Sequence, residues 1–473
     1  MHIAFLFTHG FAARMVLRTG VARQLIARGV RVSVLSPNAD ETYFRQECEA
    51  ENIFLQAIPE NIGRIAHWFR MNRPYFLDDV MNNPALKASH ARRFERRLIT
   101  GLALAGVNRT FARWSSFRRL SRSFEWWVNY SKAVEQSLQS VQPDLLVIPN
   151  PFGTIETLYL LHSRRLQIPT ICQMLSWDNI TSKGTPATMP DYFISWGPIM
   201  TEEMVTLYRF PRSQIYECGV PHFDVYSRTA DLAHCDIILR ELNLPVEQPY
   251  LFYGMVTEIH CPKEIEILSW LAQQINNNAF VKPCSLIIRP HPQTISGVYA
   301  HDAEGLGRLK ALVSSRVALD MPPVLSEQLA WDLPKSDMHR LANLLAGSAM
   351  CLNSSSTLCL DACMLNRPVI DIGFDGCEEL EYERSARRVL DYTHMAKLLA
   401  LGGIRVARSF AELKDYINTY LANPNLEREK RLLAAMQECG PCDGRATERV
   451  ANTLFDLVYR ETGEGHIRHR YAV

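Results

Sequence analysis

Arg289-Pro290-His291-Pro292 sets a guanidinium and an imidazole in a turn stiffened by two prolines, directly after the apolar run Ser285 to Arg289. Such a pair, held at a strand end, suits a phosphate or pyrophosphate leaving group; the plainer alternative is a polar, proline-stiffened turn. Ser354-Ser355-Ser356-Thr357 follows the run Met350 to Asn353 and precedes a helical pattern from Leu358 to Leu365. Hydroxyls and free backbone N–H groups then crowd a helix N-terminus, where anions bind. One serine would suffice as a cap. Four consecutive hydroxyls exceed that need, and Asp361 one turn on is placed to accept hydrogen bonds from ribose hydroxyls. Val256-Thr257-Glu258-Ile259-His260 is a weaker cluster after the run Tyr250 to Met255, since Glu258 and His260 can equally cap a helix beginning near Pro262.

These clusters matter because ligands of open parallel sheets bind beyond the carboxyl ends of the strands. Residues 2 to 8 are an apolar run, residues 11 to 28 carry Leu17, Val21 and Leu25 at helical spacing, Gly29 stops that helix, and Val30 to Leu35 alternates like a strand. That is a β-α-β unit. Ile53 to Ile58, Asp144 to Ile148, Pro169 to Leu175 and Tyr192 to Trp196 extend the first sheet. Tyr250 to Met255, Ser285 to Arg289, Val317 to Leu319, Met350 to Asn353 and Pro368 to Ile372 build a second. The expected division is an N-terminal domain over 1–228, a C-terminal domain over 229–445, and a C-terminal helix and tail over 446–473, with a linker near 225–248. In the first domain the sheet edge carries Thr8-His9-Gly10, Pro149-Asn150-Pro151 and Ser176-Trp177-Asp178-Asn179, across a cleft from the phosphate elements.

A chain of 473 residues, 47% of them hydrophobic, is too long for one core and splits into domains. Net charge +1 removes any global electrostatic case for nucleic acid. Charge is instead local: residues about 60–140 form a helical insertion whose stretch Arg92 to Arg122 holds nine arginines and a single acid, Glu95. Leu98, Leu102, Leu104, Phe111, Trp114 and Phe117 interleave with them, as in helices that bind anionic membrane surfaces. A solvated face pairing with acids elsewhere is the alternative. The 12 cysteines sit singly in apolar runs, as reduced cytosolic cysteines do; Cys439-Gly-Pro-Cys442 copies a redox tetrad without the strand such a fold requires. The N-terminus lacks a basic leader, and no run approaches the roughly 18 to 20 apolar residues of a membrane helix.

Four segments together, SWDNITSKG at 176–184, GVPHFD at 219–224, RPHP at 289–292 and NSSSTLCLDACMLNRPVIDIGFD at 353–375, resemble bacterial GT-B surface-polysaccharide transferases. These include CDP-glycerol glycerophosphotransferases and CMP-sugar transferases, which share an HP element and a serine-rich element. The resemblance spans about 145–450 and leaves 60–140 unmatched.

It implies two Rossmann-like domains facing across a cleft, a nucleotide-sugar or CDP-polyol donor, and a glycan or lipid-linked glycan acceptor; the cysteines point to a cytoplasmic location, and the basic insertion leaves peripheral attachment to the inner membrane open beside the solvated face. The resemblance also implies metal-independent transfer, with His291, Ser355 and Ser356 on the donor phosphates. No Asp-x-Asp triplet offers a divalent-ion site, no cofactor is expected beyond the activated donor, and cationic or dipolar groups can stabilise the leaving nucleotide. The paired glutamates of retaining relatives are missing, with Asp361 where the second would fall, which favours inversion. A base must then take the acceptor proton. Asp178 is the first choice and His9 the reserve; Trp177 can stack on a sugar or raise the carboxylate pKa, while Asp178 and Asn179 can alternatively just fix a turn. A nucleotide-sugar 2-epimerase and a non-catalytic nucleotide-binding subunit are the rival readings.

Overall fold

The computed structural model describes residues 1–59, 63–95, 97–112, 114–227, 232–295, 303–326 and 332–463. A first sheet contains β1 (His2–Leu6), β2 (Arg31–Ser36), β3 (Phe54–Ala57), β4 (Leu145–Ile148), β5 (Thr170–Gln173), β6 (Tyr192–Ser195) and β7 (Ile215–Glu217), ordered β3-β2-β1-β4-β5-β6-β7. A second contains β8 (Tyr250–Gly254), β9 (Ser285–Arg289), β10 (Val317–Leu319), β11 (Met350–Asn353), β12 (Val369–Ile372) and β13 (Arg405–Ala407), ordered β10-β9-β8-β11-β12-β13. Every pairing is parallel. Helices cover both faces of such sheets, which is why the central strands are continuous apolar runs buried along their whole length. In both sheets the order reverses beside the first strand, between β1 and β4 and between β8 and β11, opening a crevice at the carboxyl ends.

The single helix expected over 11–28 is broken into three parts. Gly10–Ala13 is α-helical, Arg14–Arg18 is a π-turn, and Gly20, at φ 90°, turns the chain into the helix Val21–Ile26. Both arginines of the π-turn are buried, and Arg18 bridges to the second domain through an ion pair with Asp332 and a 2.5 Å bond to the Leu333 carbonyl. Tyr43 donates to the other oxygen of Asp332. A Cβ on Gly10 would lie 2.5 Å from the Asp332 Cα, so glycine is required where the two domains touch.

The insertion is five helices, Arg64–Leu77, Pro84–Phe94, Leu98–Phe111, Ser115–Val128 and Lys132–Val141. A buried ion pair, Arg73 to Glu125 at 2.6 Å, ties the first to the fourth. Unlike a core helix, Leu98–Phe111 leaves apolar side chains in solvent: Ile99 is 86% and Leu102 73% exposed, and Trp127 on the next helix is 72% exposed. Leu104 instead packs into a small local core with Tyr75 and Phe94. No helix among the described residues is long and apolar enough to cross a membrane. The expected linker also contains helices, Asp224–Ser227 and Leu232–Glu241.

The late helix Ala446–Thr462 returns to the first domain and packs against Val21–Ile26. Asp224 caps it, its carboxylate accepting from the Ala446 and Thr447 amides at 2.9 and 2.8 Å.

Candidate functional site

The loop leaving β8 is fixed from below. Glu264 accepts from the Val256 amide at 3.2 Å and from the Tyr253 hydroxyl at 3.2 Å, and burial pushes its carboxyl up to about 8, so it is neutral at pH 7. Arg388 donates to the Ile259 carbonyl from the other side. Between these anchors His260 shares a 2.7 Å bond with the Thr257 hydroxyl through Nδ1, while Glu258 stands exposed on the crest. Burial lowers His260 to about 4; Arg388, Arg92 and Lys183 add to this and Asp178 opposes it.

His291 follows the adjacent strand β9. Its Nδ1 accepts from the Gln293 amide at 3.2 Å, and burial, reinforced by the neighbouring His260, brings it to about 4. Two neutral imidazoles therefore stand side by side at the carboxyl ends of paired strands, able to donate or accept hydrogen bonds without carrying charge at pH 7.

From the first domain, Asp178 enters the same cluster. Burial alone would raise its carboxyl, but Lys183, His394 and the Ser176 and Ser182 hydroxyls more than offset this and hold it below the ordinary value. Ser182 donates to Oδ2 at 2.8 Å and Ser176 to Oδ1. Asp178 is thus an ionised, oriented acceptor. Asn179 begins the short helix Asn179–Ser182 and is nearly buried. Trp177 is also buried, its ring edge-on to His394 with centroids 4.8 Å apart, and Thr181 meets His394 Nδ1 at 3.0 Å. Its aromatic face is covered by protein, so the expected sugar-stacking role does not fit; Trp177 docks one domain on the other.

Other expected site residues have partners that redefine them. Arg289 does not offer its guanidinium to a phosphate: it is buried, paired with Asp320 and, at 2.6 Å, with Asp337. Asp361 does not await a ribose either. It is buried, accepts from the Tyr226 hydroxyl, and burial raises it to about 6. In the serine-rich turn Ser354 is buried, and Ser355, at φ 54°, gives its amide (2.6 Å) and hydroxyl (3.0 Å) to Asp371. Ser356 accepts from the Leu358 amide at 3.2 Å, the local capping role that a single hydroxyl can fill. Thr357 makes no side-chain cap bond. His9 accepts from the Phe11 amide at 3.1 Å, and burial lowers it to about 4 with Asp332 opposing, which sets it beside the domain contact rather than with Asp178.

The structure thus gathers Asp178, His260 and His291, and adds Lys183, His394, Arg388 and Arg92. Lys183 lies in the quoted segment SWDNITSKG, close to Asp178 in sequence; Arg388 and His394 follow β12 in helices that carry no recognisable spacing. Among the described residues no group of three His, Cys, Asp or Glu side chains is arranged to hold a metal ion.

No family model matches the chain, and no curated protein matches it in sequence. Its fold does match solved structures end to end. The UDP-GlcNAc 2-epimerase from Neisseria meningitidis bound to UDP-GlcNAc is 12% identical over 96% of this chain and 100% of that one, with a TM-score of 0.54. A glycosyltransferase from Rickettsia africae ESF-5 is 10% identical over 98% and 99%, TM-score 0.51. CalG4, the calicheamicin glycosyltransferase, is 12% identical over 98% and 99%, TM-score 0.50. The architecture is the GT-B fold, two Rossmann-like domains facing across a cleft.

Proposed function

We propose that this GT-B chain is a transferase that moves a sugar, or a polyol phosphate, from a nucleotide-activated donor to a surface-glycan acceptor, with inversion. The observation that carries this reading is an oriented carboxylate in the first domain, Asp178, fixed by the Ser176 and Ser182 hydroxyls and sharing a charge neighbourhood with His260, whose loop follows β8 beside the loop of His291 after the paired strand β9. In this scheme Asp178 takes the acceptor hydroxyl proton, and His291 and His260 donate hydrogen bonds to the donor's phosphate oxygens as negative charge develops there. Incubation with CDP-, CMP-, UDP- and GDP-linked donors tests it: a released nucleotide together with an extended acceptor supports transfer. An isomerised free nucleotide sugar would support a 2-epimerase, the second reading, because the same fold carries that activity in the Neisseria neighbour. Absence of any turnover would leave a nucleotide-binding subunit.

Metal-independent transfer gives an expected result of its own. Lys183 and Arg388 are fixed positive charges at the cluster, so leaving-group charge can be met without a divalent ion. Activity should survive EDTA; a strict Mg²⁺ or Mn²⁺ requirement for donor binding would count against the scheme.

The insertion fits a peripheral attachment to an anionic inner-membrane surface. Arg97, Arg109, Arg119 and Arg122 are exposed beside Ile99, Leu102 and Trp127. Three arginines of the basic stretch are engaged otherwise: Arg92 is half-buried near Arg388, Arg93, though exposed, donates to the Met71 carbonyl, and Arg118, half-buried, donates to the Ala112 carbonyl. Arg96 and Arg113 lie outside the described residues. At about 1 kcal/mol per arginine near such a surface, changing Arg97, Arg109, Arg119 and Arg122 to Gln should weaken binding to phosphatidylserine vesicles roughly 10²- to 10³-fold at low salt while sparing donor binding. Equal sedimentation of wild type and variant with these vesicles would reject this attachment.

A further inference from the structure

Arg388 is completely buried, yet no carboxylate among the described residues forms an ion pair with it. Its Nη1 donates to the Ser385 carbonyl at 2.6 Å and its Nη2 to the Ile259 carbonyl, and its Nε has no partner. Arg92 reaches the same place from the insertion, where the helix Pro84–Phe94 packs against Arg387–Leu390. It too has no carboxylate partner, and its buried Nη1 bonds to nothing.

Other buried arginines are treated differently. Arg18, Arg73 and Arg289 each meet a carboxylate. Arg431, which does not, has all three guanidinium nitrogens hydrogen-bonded to Asn366, Leu426 and Pro424. Arg14 is likewise buried with an unpartnered Nε, but two carboxylates, Asp337 and Asp361, lie in its charge neighbourhood. Burying unneutralised charge with unused donors is unfavourable, so its retention points to a counter-charge that arrives from outside. Lys183 and His260 lie within the same electrostatic neighbourhood, where the main influences on His260 are three cations, Arg388, Arg92 and Lys183, against one carboxylate, Asp178. The local balance is positive.

We infer that Arg92 and Arg388, with Lys183 and His260 beside them, form an oxyanion subsite that takes a phosphoryl group of a substrate. Guanidinium groups bind such groups through paired N–H donors, and the free Nη1 of Arg92 and Nε of Arg388 supply donors that the protein itself leaves unused. The subsite joins the insertion to the second domain, so a bound phosphate would clamp the cleft from the insertion side. The inference deepens the transferase reading and rests on it only for which substrate carries the phosphate: the nucleotide donor or a phosphorylated acceptor.

The test uses the full chain with inorganic pyrophosphate, UDP and CDP as probes, by calorimetry and thermal shift, in wild type, Arg92→Gln and Arg92→Lys. Among the described residues the Arg92 side chain makes no hydrogen bond, so its Gln variant should fold, as circular dichroism would verify. Arg92→Gln should weaken binding of pyrophosphate roughly 10- to 100-fold, the loss expected for a hydrogen bond to a charged group, and Arg92→Lys should recover part of it. A parallel loss for UDP or CDP assigns the phosphate to the donor. Unchanged nucleotide affinity with weakened pyrophosphate assigns it to the acceptor. If neither pyrophosphate nor nucleotide affinity depends on Arg92, the subsite is wrong even where transfer is observed. If pyrophosphate binding depends on Arg92 but no nucleotide-linked donor is turned over, the subsite stands and the transferase reading falls.

Discussion

Asp178→Asn should lower kcat by about 10²- to 10⁴-fold, the range over which a positioned general base acts, while nucleotide affinity stays close to wild type. Asn keeps the size and one acceptor oxygen, so the Ser176 or Ser182 hydroxyl loses a partner and the fold loses only about 1 kcal/mol. The two roles open to Asp178 separate on this variant. A base shows a large fall in kcat with a small change in melting temperature; a residue that merely fixes the turn shows the reverse. The pH profile gives a second check. Because Lys183, His394 and the serine hydroxyls outweigh burial and hold the carboxyl below its ordinary value, Asp178 remains ionised through neutral pH, and the acid limb of kcat/KM should lie below the usual carboxylate range. An acid limb near neutrality would require another base.

Arg289→Ala should destabilise the protein by about 3 to 5 kcal/mol, because it leaves Asp320 and Asp337 without their shared counter-ion in the interior. Arg340 still reaches Asp320 at 2.6 Å, so Asp337, fully buried, bears most of the loss. His291→Ala makes the contrast: its ring leaves a loop rather than an ion-pair centre, so stability should change little while turnover falls by the equivalent of about 2 to 4 kcal/mol. Chemical denaturation of both variants beside steady-state rates checks this. An Arg289→Ala protein with wild-type stability and a selective loss of turnover would return Arg289 to the donor site and remove the ion-pair account.

The central strands were legible because parallel sheets buried on both faces demand continuous apolar runs, and β1, β4, β8, β9 and β11 all obey. Two strands were not. β7 and β13 are three-residue edge strands, Ile215–Glu217 and Arg405–Ala407, in which only Ala407 is fully buried, and no periodicity shows over so short a length. The π-turn at Arg14–Arg18 was hidden by a helical pattern that continues through it. At the site, strand-end position put forward Asp178, His260 and His291, which do lie on loops at strand ends, although their charge neighbours Arg388, Arg92 and His394 come from elsewhere in the chain. It misread Arg289 and Asp361, because Asp320, Asp337 and Tyr226 come from distant segments and nothing in the spacing announces them. Arg92 was misread for the same reason: a run of arginines looks uniform in sequence, and only packing against Arg387–Leu390 separates the one that turns inward.

The return of the helix Ala446–Thr462 to the first domain constrains the order in which the chain can assemble. Until that helix exists, the faces of Val21–Ile26 and β4 that it covers stay open to water, and Asp224 has no amides to accept from. The first domain therefore cannot finish folding when its own sheet is complete; it waits while the whole second sheet is laid down. Pairing partners so distant along the chain makes the last step slow to find, and the uncovered apolar face is the surface most open to aggregation in the meantime.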